Sequence, residues 1–131
     1  MSTAQFQKET DEKGAFVRQE NVFRDRVTAD GSSGFKAEPG RYHLYVCYAC
    51  PWASRSIIYR QLKGLEDVIS MTPVDPVRDE QGWKFFDDEP DPVNGFKYLS
   101  EAYHLTAPNF SDRVTVPVLW DKQENRAVNN E

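Results

Sequence analysis

The sequence predicts a single α/β fold of order β-α-β-α-β-β, preceded by an N-terminal extension over residues 1–40. Three observations predict it. An apolar run with two apolar faces, Arg41-Tyr42-His43-Leu44-Tyr45-Val46, leads into a helix-period run that stops at Gly64. A second short apolar run, Val68-Ile69-Ser70-Met71-Thr72, follows at once and is closed by Pro73. The chain then finishes on two apolar runs, 114–121 and 127–129, split by a polar turn.

The extension carries the breaker-rich Asp30-Gly31-Ser32-Ser33-Gly34 and Glu38-Pro39-Gly40, and its apolar residues keep no long period. Phe16, Val17, Val22, Phe23, Val27 and Phe35 are expected to lay this arm along a domain surface, with disorder the alternative for its first dozen residues. In the first strand both alternating sets are apolar or aromatic, which suits a strand covered on two sides. Pro51 fits a first helical turn, where a missing N–H leaves nothing unsatisfied. Ala53, Ile57, Ile58, Leu62 and Leu65 then recur near a 3.6 period as the expected inward face, and Gly64 supplies a left-handed stop. A strand, a helix and a strand in this order imply a right-handed crossover and a parallel pair. Residues 73–95 are too long for an ordinary connection, and Trp83 within them is expected near the site. A second helix is expected over residues 96–104, with Leu99, Ala102 and Tyr103 inward. The final runs read as a β-hairpin in which Pro117 is anomalous, since proline takes a strand's first residue, an edge or a cis bond.

At 131 residues the chain can bury one core, and no apolar run approaches the roughly 20 residues that span a bilayer. The N-terminus resembles neither a secretory signal nor an import peptide, so a cytoplasmic location is expected. A net charge of −5 with scattered Lys and Arg excludes a nucleic-acid partner of the usual basic kind. The acidic run Asp87-Asp88-Glu89-Pro90-Asp91 lacks the spacing of a calcium loop and reads as solvated; two histidines and one cysteine pair do not make a structural zinc site, and no metal is expected. Asn109-Phe110-Ser111 matches a glycosylation acceptor without the context that would use it.

The chemistry centres on Cys47-Tyr48-Ala49-Cys50-Pro51-Trp52-Ala53. A cysteine at a strand-to-helix junction meets free N–H groups and the positive end of the helix dipole, which favour the thiolate. This element order, with a Cys-Pro at the first junction and Val116-Pro117 before the third strand, resembles the thioredoxin fold. In that comparison Cys50 aligns with the nucleophile, and Ala53 stands where a resolving cysteine would. A monothiol site needs an external thiol, which favours glutathione. Two readings of Cys47 stand: a small residue filling the strand face, or a regulatory disulfide partner of Cys50.

Residues 35–46, 49–55, 114–121 and 128–131 resemble the glutathionyl-hydroquinone reductases, the Xi class of glutathione transferases. The resemblance implies a thioredoxin-like glutathione-binding domain over residues 41–131, with glutathione and glutathionyl-hydroquinones as ligands. It implies Cys50 as the nucleophile that takes glutathione as a mixed disulfide, Trp83 lining the glutathione site, Val116 pairing with the cysteinyl backbone and Glu131 meeting the γ-glutamyl end. Arg113 either meets a glutathione carboxylate or is a surface arginine. Cys47 departs from the hydroxyl residue more often found there. Members are usually homodimers with a further all-helical domain, which this sequence lacks along with the final helix of the first domain. The chain therefore reads as an N-terminal part, expected to expose apolar surface and to be less stable or prone to associate. The alternatives are a catalytically inactive or weakly glutathione-binding module, and a monothiol glutaredoxin-like oxidoreductase.

Overall fold

The computed structural model describes residues 9–131; the expectation for the first dozen residues falls largely outside that range. Six elements follow one another: β1 (Tyr42–Val46), α1 (Pro51–Leu62), β2 (Ile69–Pro73), α2 (Ser100–Thr106), β3 (Val118–Asp121) and β4 (Arg126–Asn129). They form a four-stranded sheet of order β2-β1-β3-β4, with β1 and β2 parallel and the other pairs antiparallel. This is the thioredoxin-like arrangement expected from the element order.

β1 is buried along its whole length. On one face His43 and Tyr45 lie with Trp120 and Phe85, Tyr45 meeting Phe85 edge-on at 5.3 Å between ring centroids. On the other, Tyr42 packs with Phe35 and Val128. The end of β1 is tied to β3 by a buried fork-to-fork pair, Arg41 Nε to Asp121 Oδ1 at 3.0 Å and Nη2 to Oδ2 at 2.7 Å. Burial alone would raise the Asp121 carboxyl; the Arg41 hydrogen bond and the backbone N–H groups of the turn outweigh it and hold the pKa below the usual value.

α1 ends as the sequence requires. Gly64 takes φ +64°, its N–H donates to Gln61 O, and the Leu65 N–H donates to Arg60 O, so the last carbonyls are satisfied by a Schellman motif. Arg60 Nε then donates to Ile69 O at 2.6 Å and fixes the helix to β2.

Five expectations are corrected. The second helix begins at Ser100, not at residue 96. Its would-be first turn is held elsewhere: the Phe96 N–H donates to Asp91 Oδ2, those of Lys97 and Tyr98 donate to Glu101 Oε2, and the Phe85 N–H donates to Lys97 O. Asp91, expected in a solvated run, is buried, because its carboxylate accepts from the Val93, Asn94 and Phe96 N–H groups and from the Tyr45 hydroxyl at 2.9 Å. The third strand starts at Val118 rather than 114, after a cis Val116-Pro117 bond. In the arm, Phe23 and Phe35 are buried but Phe16, Val17 and Val22 are exposed. Along α1 only Ala53 of the expected inward face is fully buried, while Ile58 is 53% and Leu62 76% exposed.

Helix α1 is under-covered because little lies over its outer side. A groove of about 450 Å³ runs beside it, floored by Leu44, Ile69 and Leu119 and walled by Tyr59. The opposite sheet face is closed by α2 and by the connection before it, with Tyr103, Trp120 and Leu99 fully buried. The arm reaches this core too, Phe23 meeting Tyr103 edge-on at 5.1 Å. Among the described residues no helix is long and apolar enough to cross a membrane.

Candidate active site

Cys50 is the N-cap of α1, in extended backbone, with Pro51 as the first helical residue. The half-buried thiol therefore sits at the positive end of a three-turn helix. Across from it, the cis bond turns the chain so that the Val116 carbonyl lies 4.0 Å from Cys50 Sγ. The Val116 N–H has no hydrogen-bond partner among the described residues.

These groups open onto a cleft of about 610 Å³ whose lining includes Cys50, Trp83, Arg113, Val116 and Glu131, the five residues singled out in the sequence. Trp83 is half-buried, and its indole N–H is shielded from solvent with no hydrogen-bond partner among the described residues. Arg113 is positioned by the arm: Gln19 accepts from its N–H at 2.8 Å and donates to its carbonyl at 2.7 Å, while its guanidinium pairs with Glu9. Glu131 stands at the edge, its side chain 3.4 Å from Arg24 in an exposed pair.

Residues that the sequence did not mark complete the cleft. Arg78 stacks on the Trp83 ring at 4.9 Å, and Arg18 and Arg55 lie over Trp52 at 5.1 and 5.0 Å. Burial lowers the Arg78 pKa, helped by the like charge of Arg113, while Glu9, Cys47 and Cys50 act in the opposite direction. Arg78 thus lines the cleft together with Cys50 and Arg113. The great length of the connection carrying it was the one available signal; nothing local distinguishes this arginine from its neighbours. Cys47 is fully buried at the end of β1, and burial raises its thiol pKa.

A helix-capping cysteine facing the residue before a cis proline, inside a cleft lined by four arginines, marks a thioredoxin-like domain. The chain matches the profile of the glutathione S-transferase N-terminal domain over residues 49–131, and it belongs to that family. It is similar to the glutathionyl-hydroquinone reductase PcpF of Sphingobium chlorophenolicum, with 49% identity across 90% of this chain and 37% of the relative. Among solved structures it resembles the Xi glutathione S-transferase of Phanerochaete chrysosporium, with a TM-score of 0.90 at 42% identity, covering 99% of this chain and 43% of that one. It also resembles the glutathione-bound YqjG, a glutathione transferase homologue of Escherichia coli, with a TM-score of 0.80 at 47% identity over 83% of this chain and 39% of that one. The chain therefore spans well under half the length of the proteins it matches.

Proposed function

We propose that this chain is the glutathione-binding part of a glutathionyl-hydroquinone reductase, with residues 41–131 as the thioredoxin-like domain and Cys50 as the nucleophile. The observation that carries the reading is the meeting, in one cleft, of Cys50 at a helix N-terminus with the unpartnered Val116 N–H and a set of arginines. Glutathione would lie extended across the cleft, its cysteinyl backbone paired with the N–H and C=O of Val116 as an added antiparallel strand. Arg113 would meet a carboxylate, Trp83 would cover the tripeptide, and Glu131 would take the γ-glutamyl ammonium.

The reaction then follows from the thiolate. Cys50 Sγ attacks the glutathionyl sulfur; the sulfur–aryl bond breaks, its electron pair goes to the ring carbon, and that carbon takes a proton to give the hydroquinone. The Cys50–glutathione disulfide is opened by a second glutathione, which leaves as glutathione disulfide. Ala53, where a dithiol enzyme places its second cysteine, fits this dependence on an external thiol. Similarity to glutathionyl-hydroquinone reductases and Xi transferases supports the substrate class, and a cytoplasmic setting supplies the reducing thiol.

A second reading, a module that binds glutathione and forms the adduct without turnover, is favoured by the exposure of Ile58 and Leu62, an apolar side of α1 left uncovered among the described residues. Intact-mass analysis after incubation with a glutathionyl-hydroquinone separates the possibilities. The wild type is expected to gain one glutathione and to release hydroquinone, and Cys50→Ser to gain none. An adduct on Cys50→Ser would overturn the assignment, whereas an adduct on the wild type without hydroquinone turnover selects the binding module.

A further inference from the structure

We propose that Cys47 is an internal resolving thiol for Cys50, which gives this chain a dithiol route for releasing bound glutathione. The inference rests on Cys50 being the thiol that carries the mixed disulfide. Residues Cys47-Tyr48-Ala49-Cys50 form a closed four-residue turn, the Cys50 N–H donating to Cys47 O at 3.1 Å. Such a turn brings its end Cα atoms within about 7 Å, and a disulfide spans Cα separations of about 4.4–6.8 Å. Both cysteines share one packed region: Cys47 belongs to the main core, and Cys50 packs against that core from the cleft side. Arg78 lines the same cleft as Cys50.

Burial decides what Cys47 can react with. It is fully enclosed, whereas Cys50 is half open to the cleft, so a bulky disulfide reaches Cys50 alone. The sequence has two cysteines, and its one other thiol besides Cys47 is therefore Cys50, free or held in the disulfide formed on it. Burial also keeps Cys47 protonated at rest, so it does not compete with Cys50 for the first attack.

The exchange balances without a further oxidant. Cys47 gives up its proton and attacks Cys50 Sγ in the mixed disulfide. A Cys47–Cys50 bond forms, the bond from Cys50 Sγ to the glutathione sulfur breaks, and the electron pair leaves on that sulfur, which takes up a proton. The oxidation first held as protein–glutathione disulfide passes to the cysteine pair. Two glutathione thiols, or one small dithiol, return both cysteines to the reduced state.

Glutathione disulfide serves as the probe. After exposure of the whole chain, acid quenching and alkylation, trypsin releases residues 42–55 as one peptide holding both cysteines. The wild type is expected to show an adduct on Cys50 that gives way to an unalkylated peptide lighter by two hydrogens, with free glutathione appearing in step. In Cys47→Ser, and in Cys47→Ala as a second replacement, the adduct is expected to persist. The internal disulfide is read on the wild type itself, so a poorly folding variant does not decide the matter. A wild-type adduct that lasts as long as that of Cys47→Ser overturns the resolving role and leaves Cys50 as nucleophile. If the wild type takes up no glutathione, the nucleophile reading fails and the resolving role falls with it.

Discussion

The two helices make opposite use of their apolar residues. α2 has seven residues and buries Ala102 and Tyr103 completely, with the Tyr103 hydroxyl donating to Thr115 O at 2.7 Å and accepting from Asn130 Nδ2. α1 has twelve, carries the better sequence pattern, and buries Ala53 alone. What separates them is not amphipathicity but cover. α2 is roofed by Phe23 and Phe110 and floored by the sheet, whereas Ile58 and Leu62 of α1 stand exposed. Periodicity states which side of a helix is apolar; whether that side is dry depends on what another part of a protein brings to it.

Three measurements would break or sharpen this contrast. The largest effect is expected on the closed face. Trp120 is fully enclosed between Tyr45 and Phe96, and Trp120→Ala is expected to destabilise the chain by about 3–5 kcal/mol, read by urea unfolding. A loss near that of a surface change would mean that this face is less tightly packed than described.

The next effect is a pH dependence from the same face. His43 is buried with Nδ1 2.6 Å from Ser70 Oγ and Nε2 2.9 Å from Thr72 Oγ1. Burial lowers its pKa to about 4 from 6.5. Above pH 6.5 folded and unfolded chains both hold it neutral, so it adds no pH dependence there. As pH falls, the unfolded chain takes the proton first, and stability drops between about 6.5 and about 4. The loss approaches roughly 3 kcal/mol at the acid end, since each tenfold difference in proton affinity between the two states is worth about 1.4 kcal/mol. His43→Asn should flatten that part of the thermal-melting profile; an unchanged slope would show that other groups produce it.

The smallest effect belongs to the open side. Leu62→Lys is expected to change stability by no more than about 0.5 kcal/mol while reducing binding of an apolar dye such as ANS. A loss of several kcal/mol there would mean that the outer side of α1 is covered after all.

Much of the fold was readable because it is set locally. The two-sided apolar pattern of β1, Pro51 opening α1 and Gly64 closing it each act within a few residues, and the structure places these elements accordingly. The start of α2 was not readable, since Asp91 and Glu101 claim the backbone N–H groups of residues 96–98 through contacts that no periodicity reports. The cleft shows the same division. Cys50 and Val116 announce themselves through the prolines that follow them. Arg78 and the Glu9 and Gln19 contacts to Arg113 depend on long-range packing; Gln19 and Arg113 are 94 positions apart in sequence.

The arm also settles which surface of the sheet can be approached. Arg24 bridges Asn129 on the outer side of β4, the Asp25 N–H takes the Val128 carbonyl, and the Asn130 N–H is taken by Phe23 O. An incoming strand would find few hydrogen-bonding groups left on that rim, and the opposite rim, β2, is five residues long and closes on a proline. Contact with another polypeptide is thereby steered away from edge-to-edge ladder growth and toward side-chain packing on the open face.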